Sequence, residues 1–115
     1  MVIFDEVMPI IDHVKTANLK GEIELGENCF WWNIGEIRLF FELDTQETTV
    51  EYFYNSLLFG HFHVENDEVI KLIQEINRED KIIEITVYLS GTGFAIIDKA
   101  DKKRSGFFKK RYYSE

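Results

Sequence analysis

A chain of 115 residues with a formal net charge of −8, 45% hydrophobic residues and one cysteine excludes several classes at once. It is too apolar and aromatic for a disordered protein, short enough for one domain over residues 1–115, and able to bury roughly two-thirds of its unfolded surface in one core. The charge is uneven: residues 99–115 hold seven basic and two acidic side chains, which leaves six basic and nineteen acidic in the first 98, a −13 body with a +5 tail.

The chain opens with Ile3, Phe4, Val7, Met8, Ile10, Ile11 and Val14 around Pro9. Proline is tolerated only in the first turn of a helix, so an extended start and a short helix over about Pro9 to Ala17 are expected. Asp5 and Glu6 stand where a secretory signal carries lysine or arginine, and the apolar segments are too short to span a bilayer. The lone Cys29 has no internal disulfide partner, which suits a reducing compartment. A soluble cytoplasmic protein with no membrane partner is therefore expected.

Glu22-Ile23-Glu24-Leu25 alternates like a half-buried strand. Gly26-Glu27-Asn28 reads as a hairpin connection into Cys29–Asp44, which Gly35 splits by a bulge or a turn. From Glu36 to Asp44 the odd positions Ile37, Leu39, Phe41 and Leu43 are apolar, and Glu36, Arg38, Glu42 and Asp44 occupy even ones. Thr49–Tyr54 and Leu57–Val64 follow as strands around Asn55-Ser56. Asn66 is the expected N-cap of a helix that ends near Arg78, with Val69, Ile70, Leu72, Ile73 and Ile76 in one apolar stripe and Asp67 and Glu68 against the positive end of its dipole. Ile82–Leu89 and Phe94–Ile97 read as a hairpin about Ser90-Gly91-Thr92-Gly93, and the tail FFKKRYYSE as a last strand or a basic arm. Strands that outnumber helices and are joined by short turns imply an α+β domain: a mainly antiparallel sheet of five to seven strands with one or two helices packed on one face.

No complete catalytic signature is present, and the balance leans away from an enzyme. If Leu57–Val64 is extended, His61, His63 and Glu65 share one face and offer ligands for zinc, iron or manganese. His-x-His at a strand end is also where cupins and several metallohydrolases place ligands. A cupin's glutamate follows the second histidine by four or five positions, where Asp67 and Glu68 stand, and the second cupin motif is missing. His13 would complete such a site only if the fold brought it beside His61. Cys29, among Phe30, Trp31 and Trp32, reads as a packed thiol. Gly91-Thr92-Gly93 lacks the lysine and the helix of a phosphate loop and reads as a turn. The basic and aromatic tail suits single-stranded nucleic acid, which the −13 body disfavours.

Aromatic residues exceed what a core of this size must hide, and Phe40 stands alone between Arg38 and Glu42. Aromatics ringed by acids describe a protein-binding surface, here Glu36, Arg38, Phe40, Glu42 and Asp44. The competing reading is a covered face, hidden by the other helix or by the carboxy-terminal arm. In size and acidity the whole chain resembles the immunity proteins that bacteria make against toxic nucleases. That resemblance rests on general character and implies a cofactor-free inhibitor that covers a basic protein partner; a homodimer is the other expected use of such a face.

Overall fold

The computed structural model describes residues 5–115 and is an α+β fold in which all strand pairs are antiparallel. In order it runs through α1 (Met8–Thr16), β1 (Glu22–Leu25), β2 (Cys29–Ile34), β3 (Ile37–Glu42), β4 (Glu47–Tyr54), β5 (Leu57–Glu65), α2 (Asn66–Asn77), β6 (Lys81–Tyr88), β7 (Gly91–Asp98), a 3-10 turn at Lys99–Asp101, and β8 (Lys109–Tyr113). The extended start expected over Ile3 and Phe4 lies outside the described residues. Pro9 sits in the first turn of α1, as its missing N–H requires.

The strands divide into two sheets rather than one: a five-stranded meander in the order β1-β2-β3-β4-β5, and a three-stranded sheet in the order β7-β6-β8. Alternation shows which face of a strand is buried but not which strand it pairs with. The long connection through α2 is where pairing restarts. The tail resolves as β8, which lies beside β6.

Two-residue turns join β2 to β3, β4 to β5 and β6 to β7, while three residues link β1 to β2 and four link β3 to β4. Asn55 and Ser56 both take positive φ (48° and 69°), the geometry whose twist matches a hairpin. Gly35, at φ 58°, lies so close to the end of β8 that a Cβ there would stand 2.1 Å from the Ser114 carbonyl oxygen. The β2–β3 connection is therefore a turn, and only glycine fits its contact with the carboxy-terminal strand. The β6–β7 turn falls at Leu89-Ser90, with Gly91–Gly93 already in β7.

One core fills the space between the sheets and helices. The inner face of the meander contributes Phe30, Trp32, Ile37, Leu39, Phe41 and Val50; α1 adds Ile10, Ile11 and Val14; α2 adds Val69, Ile73 and Ile76; β6 adds Ile83 and Ile85. Phe30 and Phe41 stack with centroids 4.5 Å apart. Trp32 satisfies its buried indole by donating from Nε1 to the Lys20 carbonyl at 2.7 Å. Lys20 in turn donates from Nζ to the carbonyls of Arg78 (2.8 Å) and Lys81 (3.1 Å), tying the α1–β1 link to the end of α2. Burial, and then Lys99, lower the pKa of this amine.

The expected N-cap is corrected. Glu65 holds the N-cap position without a side-chain hydrogen bond. Asn66 is already helical and nearly buried, and its amide bridges two strand segments: Oδ1 accepts from Thr48 Oγ1 at 2.7 Å and Nδ2 donates to the Asp44 carbonyl at 2.6 Å. A wholly buried hydroxyl on β4 takes the side chain that the first turn of the helix would otherwise have used.

Candidate functional site

The register of the meander decides what its outer face carries. Inward residues of β2 and β3 are Phe30, Trp32, Ile34, Ile37, Leu39 and Phe41, so Cys29, Trp31, Asn33, Arg38, Phe40 and Glu42 point outward. Pairing continues these rows across the sheet. Glu24 stands opposite Trp31, Trp31 opposite Phe40, Phe40 opposite Glu51, and Glu51 opposite His61. The adjacent row holds Glu22, Asn33, Arg38, Phe53 and Leu58.

The centre of the face is aromatic. Trp31 lies 4.4 Å from Phe40 and 5.5 Å from Phe53, centroid to centroid. The Arg38 guanidinium sits 3.9 Å above the indole ring and 3.1 Å from Glu24 Oε2. Its buried Nε has no hydrogen-bond acceptor among the described residues, which leaves the ring face as its partner. The three aromatic rings are only half-buried, and their ring contacts are with one another. Both helices pack on the opposite face, and the ring contacts of β8 are with Tyr54 and Phe59. Among the described residues, the face is open.

Around that centre lie Glu22, Glu24, Glu42, Glu47, Glu51 and Glu65, six carboxylates against the single guanidinium of Arg38. Glu47 and Glu65 stand directly opposite each other, an arrangement that repels in an antiparallel pair. His63 moderates it, with Nδ1 at 3.2 Å from Glu47 Oε1 and 3.1 Å from Thr49 Oγ1.

Of the residues singled out in the sequence, Arg38, Phe40 and Glu42 share this face. Glu36 lies in the β2–β3 turn, and Asp44 lies beyond β3, where its carboxylate accepts the Thr45 N–H at 2.7 Å. His61, His63 and Glu65 do alternate onto one side of β5, with the two imidazoles 5.4 Å apart and nearly perpendicular. No three His, Cys, Asp or Glu side chains among the described residues are grouped to hold a metal ion. His13 is on α1, which packs against the inner face. Trp31, Phe53, Glu24 and Glu51 complete the site. Alternation against the buried Trp32 and Tyr52 was the signal for Trp31 and Phe53; the acids became site residues only through strand register.

Polar chemistry elsewhere is structural. Tyr52 Oη meets Thr92 Oγ1 at 2.8 Å, and Thr92 donates to the Phe59 carbonyl at 2.8 Å, joining β5 to β7. Gly60 makes this approach possible, since a Cβ there would lie 2.4 Å from the Tyr52 hydroxyl. No protein-family model, curated protein or solved structure matches the chain.

Proposed function

We propose that this chain is a non-enzymatic binding module that takes a basic protein on the outer face of its five-stranded sheet, in the manner of an immunity-type inhibitor. One observation carries the reading: among the described residues nothing covers the Trp31–Phe40–Phe53 cluster at the centre of a face bearing six carboxylates. Aromatic anchors supply desolvated contact area, and a rim of one charge sign speeds encounter and selects partners of the opposite sign. The −13 charge of the first 98 residues extends the attraction beyond the face itself. A reducing, cytoplasmic setting fits the unpaired Cys29.

The test compares outer-face and remote variants in capture from the native host lysate. Phe40→Ala with Glu51→Lys should lose a basic protein that the wild type and a Glu79→Lys variant both retain, and the captured band should weaken as salt rises. Equal capture by all three proteins refutes the assignment of the face. Light scattering on the purified chain identifies the other occupant: a dimer that Phe40→Ala dissociates would make the partner a second copy.

A further inference from the structure

A second surface lies at one end of the three-stranded sheet, and its charge is the opposite of the first. Beyond the Lys99–Asp101 turn the chain folds back along β8. The Lys103 N–H donates to the Tyr113 hydroxyl at 2.9 Å, the Arg111 N–H to Ser105 Oγ at 2.9 Å, and the Gly106 N–H to the Lys109 carbonyl at 2.7 Å. The last bond closes a tight turn, so Phe107 and Phe108 form the tip of a hairpin-like arm. The Leu89-Ser90 turn is at the same end, because Tyr88 stands opposite both Gly91 and Lys109. Three large apolar side chains are thereby left in water: Leu89 is 89% exposed, Phe107 91% and Phe108 65%.

The two phenyl rings meet edge to face at 4.6 Å, and neither packs against the core. Arg104, Lys109 and Lys110 lie on the two arms that lead to this tip, and among the described residues none is within ion-pair distance of a carboxylate, although the Lys109 amine sits 5.1 Å from the centroid of the Tyr88 ring. Cations at the base of the arm are engaged instead. Lys99 pairs with the Glu115 carboxylate at 3.1 Å, Lys102 donates to the Glu115 main-chain oxygen, and Arg111 lies 4.0 Å from Glu84. The unpaired positive charge is thus gathered where the apolar side chains protrude. Single exposed apolar residues need no partner, but a group of them beside cations that no carboxylate neutralises marks an interaction site.

We infer that this tip docks on an anionic lipid bilayer. Phe107, Phe108 and Leu89 enter the boundary between headgroups and acyl chains, while Arg104, Lys109 and Lys110 meet the anionic headgroups. The geometry selects a surface over a strand. Single-stranded nucleic acid needs a groove of cations along which its backbone tracks, whereas these cations gather at one end of the arm. A bilayer touches the tip alone; the molecule is 47 Å along its longest axis. Carboxylates more than about 8 Å from the headgroups are largely screened at physiological ionic strength. Among the described residues no helix is long and apolar enough to cross a membrane, which bears on crossing and leaves surface contact open.

The full chain is sedimented with vesicles of phosphatidylcholine alone and of phosphatidylcholine mixed with phosphatidylserine. It should pellet only with the mixed vesicles, and less as salt rises. Phe107→Ser with Phe108→Ser should lower that partition about tenfold or more, as the loss of two inserted rings implies. Its thermal midpoint should move little, because Phe107 is 91% exposed, Phe108 65%, and neither packs against the core. Lys109→Glu with Lys110→Glu should weaken binding as strongly through charge alone. A wild-type chain that stays in the supernatant with both vesicle types overturns the inference. So does an unchanged partition in either double variant, or tight binding of a labelled oligothymidylate in place of vesicles. None of these substitutions touches the outer face of the five-stranded sheet, so this inference and the proposed protein-binding role stand or fall separately.

Discussion

Phe40 and Phe41 are adjacent on β3 and test whether the outer face is open. Phe41 is wholly buried, stacked 4.5 Å from Phe30 and 6.5 Å from Trp32. Truncating it to alanine removes a buried ring and leaves a cavity, at a cost of about 3–5 kcal/mol. Phe40 meets Trp31 at 4.4 Å on a face with nothing over it among the described residues. Its truncation loses a cross-strand aromatic pair and part of its contact area, about 1–1.5 kcal/mol in total. A domain of this size is stable by roughly 6–17 kcal/mol, so the two variants should separate clearly in urea. The assay is equilibrium unfolding followed by tryptophan fluorescence, with equal slopes confirming that only the midpoint moves. If Phe40→Ala costs as much as Phe41→Ala, something covers the outer face. The aromatic cluster would then be core, and the binding role would lose its foundation.

The Asn66 bridge predicts coupling. Asn66→Ala leaves the Thr48 hydroxyl and the Asp44 carbonyl without their partner, about 1–3 kcal/mol, and in a Thr48→Val background the same change should cost at least about 1 kcal/mol less, measured by a double-mutant cycle in urea. Additive costs would favour a simple cap. Tyr113 predicts alkaline behaviour: burial, foremost, holds its phenol above the ordinary 10.0, and its hydrogen bond to Glu84 adds to the effect. A folded-state pKa above the unfolded one stabilises below about pH 10 and is lost as pH rises through the folded value, so Tyr113→Phe should flatten the fall of the thermal midpoint above that pH. The Lys81 amine, raised mainly by its hydrogen bond to Asp98, keeps its own contribution of the same sign in that variant.

What the sequence made legible was local. Strict alternation over Ile37–Phe41 placed the strand and its buried face correctly, because a period of two has one structural meaning; the strand at Lys81–Tyr88 was legible too, but not its faces, since Ile82, Ile83, Ile85 and Thr86 are all buried. The stripe of α2 was as clear, with Val69, Ile73 and Ile76 buried. Pairing was legible where a hairpin turn announced it, as for β1 with β2 and β6 with β7, and not beyond. Whether β5 continues to β6 or starts a new sheet depends on how α2 packs, and no single residue encodes that. The cap at Asn66 failed for a related reason: a capping side chain is a good local guess until a distant buried hydroxyl, here Thr48, competes for it. Phe40 was visible as an anomaly in its strand, yet the site needed Trp31, Phe53 and Glu51, which register alone brings beside it.

The outer face also has an electrostatic consequence for the free protein. Glu47 faces Glu65 across β4 and β5, and Glu22, Glu24, Glu42 and Glu51 add charge of the same sign on the same surface. Exposed repulsion of this kind costs at most a few tenths of a kcal/mol per pair, and salt removes it, since the screening length falls from about 30 Å at 0.01 M to about 10 Å at 0.1 M. Sodium chloride should therefore raise the thermal midpoint of the lone chain, and raise it less in Glu47→Gln with Glu65→Gln. A basic partner relieves the same repulsion by supplying opposite charge, so salt should weaken the complex while it strengthens the free protein. Those opposite signs separate a face kept acidic for binding from one whose acids only keep the protein in solution. If the midpoint of the lone chain rises as much in the glutamine variant as in the wild type, the repulsion lies elsewhere, and the carboxylates of this face are too well solvated to favour any partner.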